Sequence, residues 1–354
     1  MSLEKIYIDP ENIDLNLVGK VAESIREGKI VAMPTDTVYG LAANLSRKDV
    51  LERLYKIKQR PIDKPFTVHI SSAKDIDFFT DILPPYGYRM IEKFWPGPLT
   101  IVYYKKDSFK TIGLRCPIHP VTSLILKESS CFVVMPSANV SGNPPAVTAQ
   151  EVEDNLGEEI DLLVDSLSPQ LKVSSTVVDL TVKPVKIKRE GSISSQEIKK
   201  VTDVRRILFV CTGNTCRSVM AEYLLKLYLK DKNFKLYGRI EPVSCGTHAY
   251  EGARPSYNVV NLLRKEGIDC SQHRARLIDR HLIRSSDIIV VMDAPHKYRV
   301  GSIESSSLSR VFLLGSFLKD YNRGIPDPVG GTSSVFEEVF SWVKEGIKEL
   351  VEWL

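Results

Sequence analysis

Residues 1 to 203 contain no Walker A sequence, no G-x-G-x-x-G and no pair of residues at metal-ligand spacing, so a nucleotide site there must rest on another scheme. No apolar run in the chain approaches the roughly 18 to 20 residues that a membrane span needs. The start, MSLEKIYIDPEN, has neither the basic end nor the apolar core of a signal peptide. A soluble, cytoplasmic protein without membrane contact is the expectation. Six cysteines, placed irregularly at 116, 131, 211, 216, 245 and 270, do not read as a disulfide framework or as paired zinc knuckles, and they suit a reducing compartment. Internal repeats and low-complexity tracts are also missing. What is present is length: 354 residues with 43% hydrophobic content are about twice a usual single domain, which implies two cores. The halves differ in charge. Before Val204 there are 26 basic and 27 acidic residues, and from it onward 22 basic and 17 acidic. The first half therefore lacks the cationic surplus of a general nucleic-acid binder, and no strong direct nucleic-acid binding is expected; the second leans towards anionic partners.

The boundary is read in KIKREGSISSQEIKKVTDVRRILFVC, where a polar stretch with Gly and Ser precedes a new apolar strand. It divides the chain into a domain over 1–198, a linker over 199–204 and a domain over 205–354. The second domain alternates. RILFV, EPVSCGT, SDIIVVMD and SRVFLLGSF read as strands, while SVMAEYLLKLYLK, SYNVVNLLRKEG and the closing SVFEEVFSWVKEGIKELVEWL carry helical spacing. That order predicts an α/β fold with a parallel sheet covered by helices on both faces. The first domain mixes short strands (KIVAMPT, FTVHI, LTIVYY, CFVVMPS, STVVDLT) with helices (NLVGKVAESIREG, DVLERLYKIKQR). It reads as α/β or α+β without regular alternation.

The stretch FVCTGNTCRSVMAE carries a specific chemistry. A strand ending at Cys211 and a helix starting near Ser218 would let Thr212, Gly213, Asn214, Thr215 and Cys216 wind into a nest of backbone N–H groups that binds a phosphate. The same donors favour the Cys211 thiolate, a nucleophile. Arg217 would clamp two phosphoryl oxygens. Gly213 would allow an unusual backbone angle, Asn214 would brace the loop, and Ser218 would donate to the leaving thiolate. The spacing alone also suits a buried cysteine beside a surface arginine; the strand, the loop residues and the helix together favour phosphate chemistry. The stretch resembles the low-molecular-weight cysteine phosphatases, and the likeness runs to the C-terminus. That resemblance implies Asp327 of IPDPVGG as the general acid. CTGNTCRS with DP-x-GG is similar to the protein-arginine phosphatase branch, which implies that Thr215 selects phosphoarginine and that phosphotyrosine is the alternative. Val329 departs from the aromatic residue expected there. A reversible Cys211–Cys216 disulfide and simple loop packing of Cys216 remain equal alternatives.

In the first half, PTDTVYGLAAN, KIKQRPIDKPFTVHI, TIGLRCPIHP and MPSANVSGNPPAVT, followed by VSSTVVDL and IKREGSI, each place hydroxyls or cations beside a turn at a strand end. Gathered in one cleft they suit a polyphosphate and an amino-acid carboxylate. In order and wording they resemble the YrdC-type threonylcarbamoyl-AMP synthase family, from about residue 12 to 191, with its twisted mixed sheet and flanking helices. The resemblance implies condensation of L-threonine, bicarbonate and ATP, with Mg²⁺ accompanying the ATP and no metal ligand from the protein. It assigns Thr37, His69, Arg115 and Ser175 to threonine, and Arg60, Lys64, Thr111, Ser137 and Arg189, with Lys58 and Asn139 close by, to ATP. Asp36 stands where glutamate is common, and Ser174 where a glutamate often precedes the Ser-Thr pair. The whole chain then reads as a bifunctional enzyme whose partners are those substrates, a phosphorylated protein and the tRNA threonylcarbamoyl-transferase machinery. The alternative makes the first half a tRNA-binding module.

Overall fold

The structure is a computed structural model that describes residues 3–232, 236, 238–319 and 323–354. Two compact units emerge, Met1–Leu83 with Met90–Lys199, and Pro84–Arg89 with Lys200–Leu354. Ser195–Thr202 is a helix, and the next strand begins at Arg205.

The first unit is built on a mixed ten-stranded sheet. Its strands are β1 (Glu4–Tyr7), β2 (Val31–Met33), β3 (Gly40–Asn44), β4 (Val68–His69), β5 (Leu99–Tyr104), β6 (Thr111–Arg115), β7 (Val133–Val134), β8 (Leu162–Asp165), β9 (Thr176–Asp179) and β10 (Lys186–Arg189), in the order β1-β8-β2-β3-β7-β4-β6-β5-β9-β10. Central strands β2 and β3 are buried at every residue, so their sequences VAM and GLAAN show no polar alternation. Helix Leu15–Glu27 buries Val18, Val21, Ala22 and Ile25, a helical spacing, against β2 and β8. Asp14 caps its first turn by accepting from the Asn16 N–H, and Gly28 closes it at φ 99°, where a side chain would be strained. FTVHI and CFVVMPS shrink to two-residue strands because their outer residues pair singly, Ile70 N–H with the Arg115 carbonyl and Met135 N–H with that of Thr67.

The second unit holds four parallel strands, β11 (Arg205–Cys211), β12 (Ile240–Gly246), β13 (Ile288–Val291) and β14 (Val311–Leu313), in the order β12-β11-β13-β14. Strand β11 shows why both faces must be covered. Ile207, Phe209 and Cys211 enter one core with Val219, Leu224, Val343 and Ile347 from helices Arg217–Lys232 and Ser333–Trp353. Leu208 and Val210 enter another with Ile278, Leu282, Ile283 and Val300. Among the described residues no helix is long and apolar enough to cross a membrane.

Candidate active sites

All eleven residues that the family resemblance assigned to threonine or ATP line one cleft of about 680 Å³ in the first unit. Strand pairing brings the distant ones together. In the parallel β4–β6 register His69 stands beside Arg115, and the β5–β9 register puts Thr100 beside Val177, so that Ser175, just before β9, meets the Thr100 hydroxyl at 2.9 Å. Arg189, at the end of β10, donates to the Ser175 carbonyl at 2.9 and 3.1 Å and to its hydroxyl at 3.2 Å. Gly191 makes this approach possible, since a Cβ there would lie 2.0 Å from the Ser174 carbonyl oxygen.

Arg115 is held from three sides: Nη2 donates to Asp36 Oδ1 at 2.6 Å, Nη1 to Thr37 Oγ1 at 2.8 Å and Nε to the Gly97 carbonyl at 3.2 Å. Both members of the ion pair are buried, and Asp36 Oδ2 has no hydrogen-bond partner among the described residues. Thr35 braces Thr37 through a 2.9 Å hydroxyl contact. Burial, and then the Arg115 charge, push His69 down to about 3, so the ring is neutral. Lys58 donates to the Ser137 carbonyl at 2.5 Å and to Asn139 Oδ1 at 2.9 Å, and Ser137 Oγ donates to the same Oδ1 at 2.6 Å. Burial and the neighbouring Arg60 lower Lys58 to about 8. Arg60 donates to the Lys64 and Pro65 carbonyls, with its guanidinium 5.4 Å from the Phe66 ring. Lys64 and Thr111 are exposed at the mouth.

In the second unit β11 ends at Cys211 and the next helix starts at Arg217, so the loop 212–216 spans strand and helix as its sequence implies. It lies at the carboxyl end of a parallel sheet, the usual ligand side of such folds. The Cys211 Sγ is 3.0 Å from Ser218 Oγ. Asn214 Nδ2 donates to Ser218 Oγ at 3.0 Å and to Ser244 Oγ at 2.8 Å, and its Oδ1 accepts from the Arg276 N–H at 3.0 Å. One assignment is corrected. The left-handed residue is Asn214, at φ 53°, whereas Gly213 has no positive φ and a Cβ there would make ordinary contact. Asparagine tolerates that region, and its side-chain bonds hold it there.

Arg217 and Asp327 meet directly, Nη2 to Oδ2 at 2.5 Å. The second Nη2 contact is Thr212 Oγ1 at 3.2 Å, while Nη1 donates to the Ile325 carbonyl at 2.9 Å and Asp293 Oδ2 at 3.3 Å. The buried Nε has no partner among the described residues. Nε and the Nη2 hydrogen now on Asp327 are therefore the donors that a phosphoryl group can take. The Thr215 carbonyl accepts from the Ser256 N–H at 3.0 Å, and Cys216 Sγ is 3.4 Å from Ser256 Oγ. Burial raises the Cys216 thiol, and Cys211 and Cys216 are both free. Val329 is exposed.

Sequence reasoning passed over Asp293, His296, Ser244 and His273. His273 Nε2 lies 3.0 Å from the Asn214 carbonyl, and His296 Nε2 lies 3.0 Å from Thr212 Oγ1. Only Asp293 carried a signal, its place at the end of the apolar run SDIIVVMD. In the first unit Thr35 and Thr100 were passed over, and Asp36 was noted only as a departure.

Comparison with known proteins follows this division. A family model for Sua5/yciO/yrdC proteins, described as telomere recombination, matches residues 23–191, and one described as low molecular weight phosphotyrosine protein phosphatase matches residues 206–354. The threonylcarbamoyl-AMP synthase of Pyrococcus abyssi is 35% identical over 191 residues, covering 52% of this chain and 56% of that one. A Mycobacterium tuberculosis protein given the same name provisionally is 33% identical over 204 residues, covering 55% of this chain and 93% of its own length. The chain thus spans little more than half the length of the synthases of Pyrococcus abyssi and Bacillus subtilis, 56% in each case. A solved variant of Pyrococcus abyssi Sua5 aligns over 87% of this chain and 98% of its own, with a TM-score of 0.53 at 23% identity, a likeness of fold alone. The chain belongs to the Sua5/yciO/yrdC family through residues 23–191 and to the low molecular weight phosphatase family through residues 206–354, and is a fusion of the two.

Proposed function

We propose that the first unit makes threonylcarbamoyl-AMP from L-threonine, bicarbonate and ATP. The observation that carries this reading is the convergence of Lys58, Arg60, Lys64 and Arg189 with Arg115 and a set of hydroxyls in one cleft. The threonine amine adds to the carbon of bicarbonate with loss of water, and the carbamate oxygen attacks the α-phosphorus as pyrophosphate leaves. Arg115 receives the threonine carboxylate, Thr37 and Ser175 orient the amino acid, and neutral His69 packs beside it without adding charge. The four other cations offset charge on the polyphosphate. Mg²⁺, carried by the nucleotide, would screen the departing pyrophosphate. The product serves a tRNA threonylcarbamoyl-transferase. The test is pyrophosphate release from ATP that requires both threonine and bicarbonate; none from folded protein, together with salt-sensitive tRNA binding, would favour the binding-module reading.

For the second unit we infer hydrolysis of protein phosphoarginine through a phosphocysteine. The phosphoryl group moves from the guanidino nitrogen to Cys211 Sγ, and water then attacks phosphorus and frees the thiolate, which Ser218 receives. A phosphoryl group seated on Arg217 takes over its donors and releases Asp327, which takes up a proton from solvent, passes it to the leaving guanidine nitrogen and accepts one back from the attacking water. Thr215, small and hydroxylated at the loop's rim, supports phosphoarginine over phosphotyrosine. Replacing Thr215 by isoleucine should move the kcat/KM ratio towards aryl phosphate, and an unchanged ratio would return the choice to phosphotyrosine.

A further inference from the structure

Behind the phosphate loop, four side chains close a ring. Arg217 Nη2 donates to Thr212 Oγ1 at 3.2 Å, Thr212 Oγ1 lies 3.0 Å from His296 Nε2, His296 Nδ1 lies 2.6 Å from Asp293 Oδ1, and Asp293 Oδ2 accepts from Arg217 Nη1 at 3.3 Å. The histidine is only 3% exposed. It sits in helix Ala294–Ile303, whose first turn Asp293 caps by accepting from the His296 N–H at 3.2 Å. The 2.6 Å approach to Asp293 Oδ1 is a close electrostatic contact without hydrogen-bond geometry, and a carboxylate oxygen at that distance favours a proton on Nδ1 over a bare lone pair, which leaves Nε2 as the acceptor in the neutral ring. The Thr212 hydroxyl must then donate to Nε2 and turn its oxygen to Arg217. Direction is thus set along the three hydrogen bonds of the circuit, and the His296–Asp293 contact closes it electrostatically.

We propose that His296 is a positioning residue for phosphate binding, acting through Thr212 and Asp293 to hold the Arg217 guanidinium with its Nε edge presented to the ligand. This rests on the phosphatase reading of the loop. Free arginine side chains rotate about several bonds, and a fixed fork loses less entropy when a phosphoryl group arrives. Burial lowers the histidine from its ordinary value, reinforced by Arg217 and His248 and opposed by Asp293 and Asp327, which suits the neutral form the ring needs. Positioning that the guanidinium has before the phosphoryl group arrives is counted when the group binds, so the contribution is expected in phosphate affinity and KM more than in kcat.

The test uses the full chain with His296→Gln and His296→Asn, folding being checked by the unfolding temperature. Inorganic phosphate and vanadate dissociation constants, and KM for p-nitrophenyl phosphate, should rise about fivefold to tenfold, the worth of one or two hydrogen bonds, while kcat changes by less than about twofold. Thr212→Val should show the same loss, and combining it with either histidine variant should add little, since both break one ring. Unchanged phosphate affinity in a folded variant, or full additivity with Thr212→Val, overturns the proposal. Should both histidine variants unfold, the Thr212→Val affinity alone decides in the same sense. Direct phosphate binding also separates two failures: a parent that binds phosphate without turnover defeats the phosphatase reading while the His296 effect is still measured.

Discussion

Replacing Asp36 by asparagine keeps the shape of a buried side chain and removes its charge. Arg115 then has its Thr37 and Gly97 contacts but no counterion, in a place where burial already disfavours the guanidinium charge and Asp36 opposes that effect. Removing one partner of a buried pair costs about 3–5 kcal/mol, and the surviving amide acceptor argues for the lower figure, about 3 kcal/mol. For a unit of this size that corresponds to a fall of about 6–12 °C in its unfolding temperature. Threonine should suffer more than ATP, because Arg115 is the proposed carboxylate receptor, and a loss of about 1.4 kcal/mol in its orientation would raise the threonine KM about tenfold. Asp36→Glu separates charge from volume. It restores the ion pair but forces a methylene into a packed site, at about 1–3 kcal/mol. Calorimetry and threonine-dependent pyrophosphate release are the assays. The expected order of threonine KM is parent, then Asp36→Glu, then Asp36→Asn, with the ATP KM nearly constant. An Asp36→Asn protein whose unfolding temperature and threonine KM both match the parent would refute the reasoning.

Three further outcomes are expected. Lys58, lowered to about 8, is charged below that pH and neutral above it, so the ATP KM should climb as pH passes from 7 to 9; Lys58→Gln should raise it throughout and remove the pH limb. A rise that persists in the glutamine variant would assign the titration elsewhere. Gly191→Ala drives a methyl group into the Ser174 and Ser175 backbone, so the threonine KM should rise and stability drop by about 1–3 kcal/mol, read by calorimetry and the pyrophosphate assay. Cys211→Ser should cut p-nitrophenyl phosphate turnover at least about a thousandfold while leaving inorganic phosphate binding measurable; residual turnover near the parent rate would exclude the phosphocysteine route.

The phosphate loop was readable because its chemistry is contiguous: eight residues, one strand end and one helix start fix Cys211, Asn214, Arg217 and Ser218 together. Its support was not. Asp293 is 76 residues from Arg217, and only the β11–β13 pairing brings their strand ends side by side. The cleft is the opposite case. Thr37, His69, Arg115 and Ser175 have no common periodicity, so a family resemblance, not residue pattern, named them. In the first unit, strands β1, β3, β6 and β8 and the helices Pro85–Phe94, Pro120–Glu128 and Ala149–Leu156 went unread. The second of these shows why. It starts with Pro120 behind His119, whose ring Nδ1 accepts from the Thr122 N–H, a cap that hydroxyl-or-carboxylate rules do not find.

Both sites hold the arginine meant for an anion with an aspartate and a threonine, and burial decides what each pair can do. Asp36 is 6% exposed and has no water to turn to, so its bond to Arg115 is a fixed element of the cleft, and a carboxylate ligand must use the donors that remain. Asp327 is 42% exposed, so water screens its bond to the buried Arg217 and can take the carboxylate's place when the bond opens. A dianionic phosphoryl group with several loop donors outbids that contact readily. On the proposed reactions the first arginine is set once, on folding, and the second is reset in every turnover. Charge-neutral replacement should therefore act oppositely at the two aspartates: Asp36→Asn weakens binding and stability together, whereas Asp327→Asn removes a competitor for Arg217, tightening inorganic phosphate while slowing release of a leaving group that needs a proton. Weaker phosphate binding by Asp327→Asn would show that the carboxylate is not exchanged for the ligand.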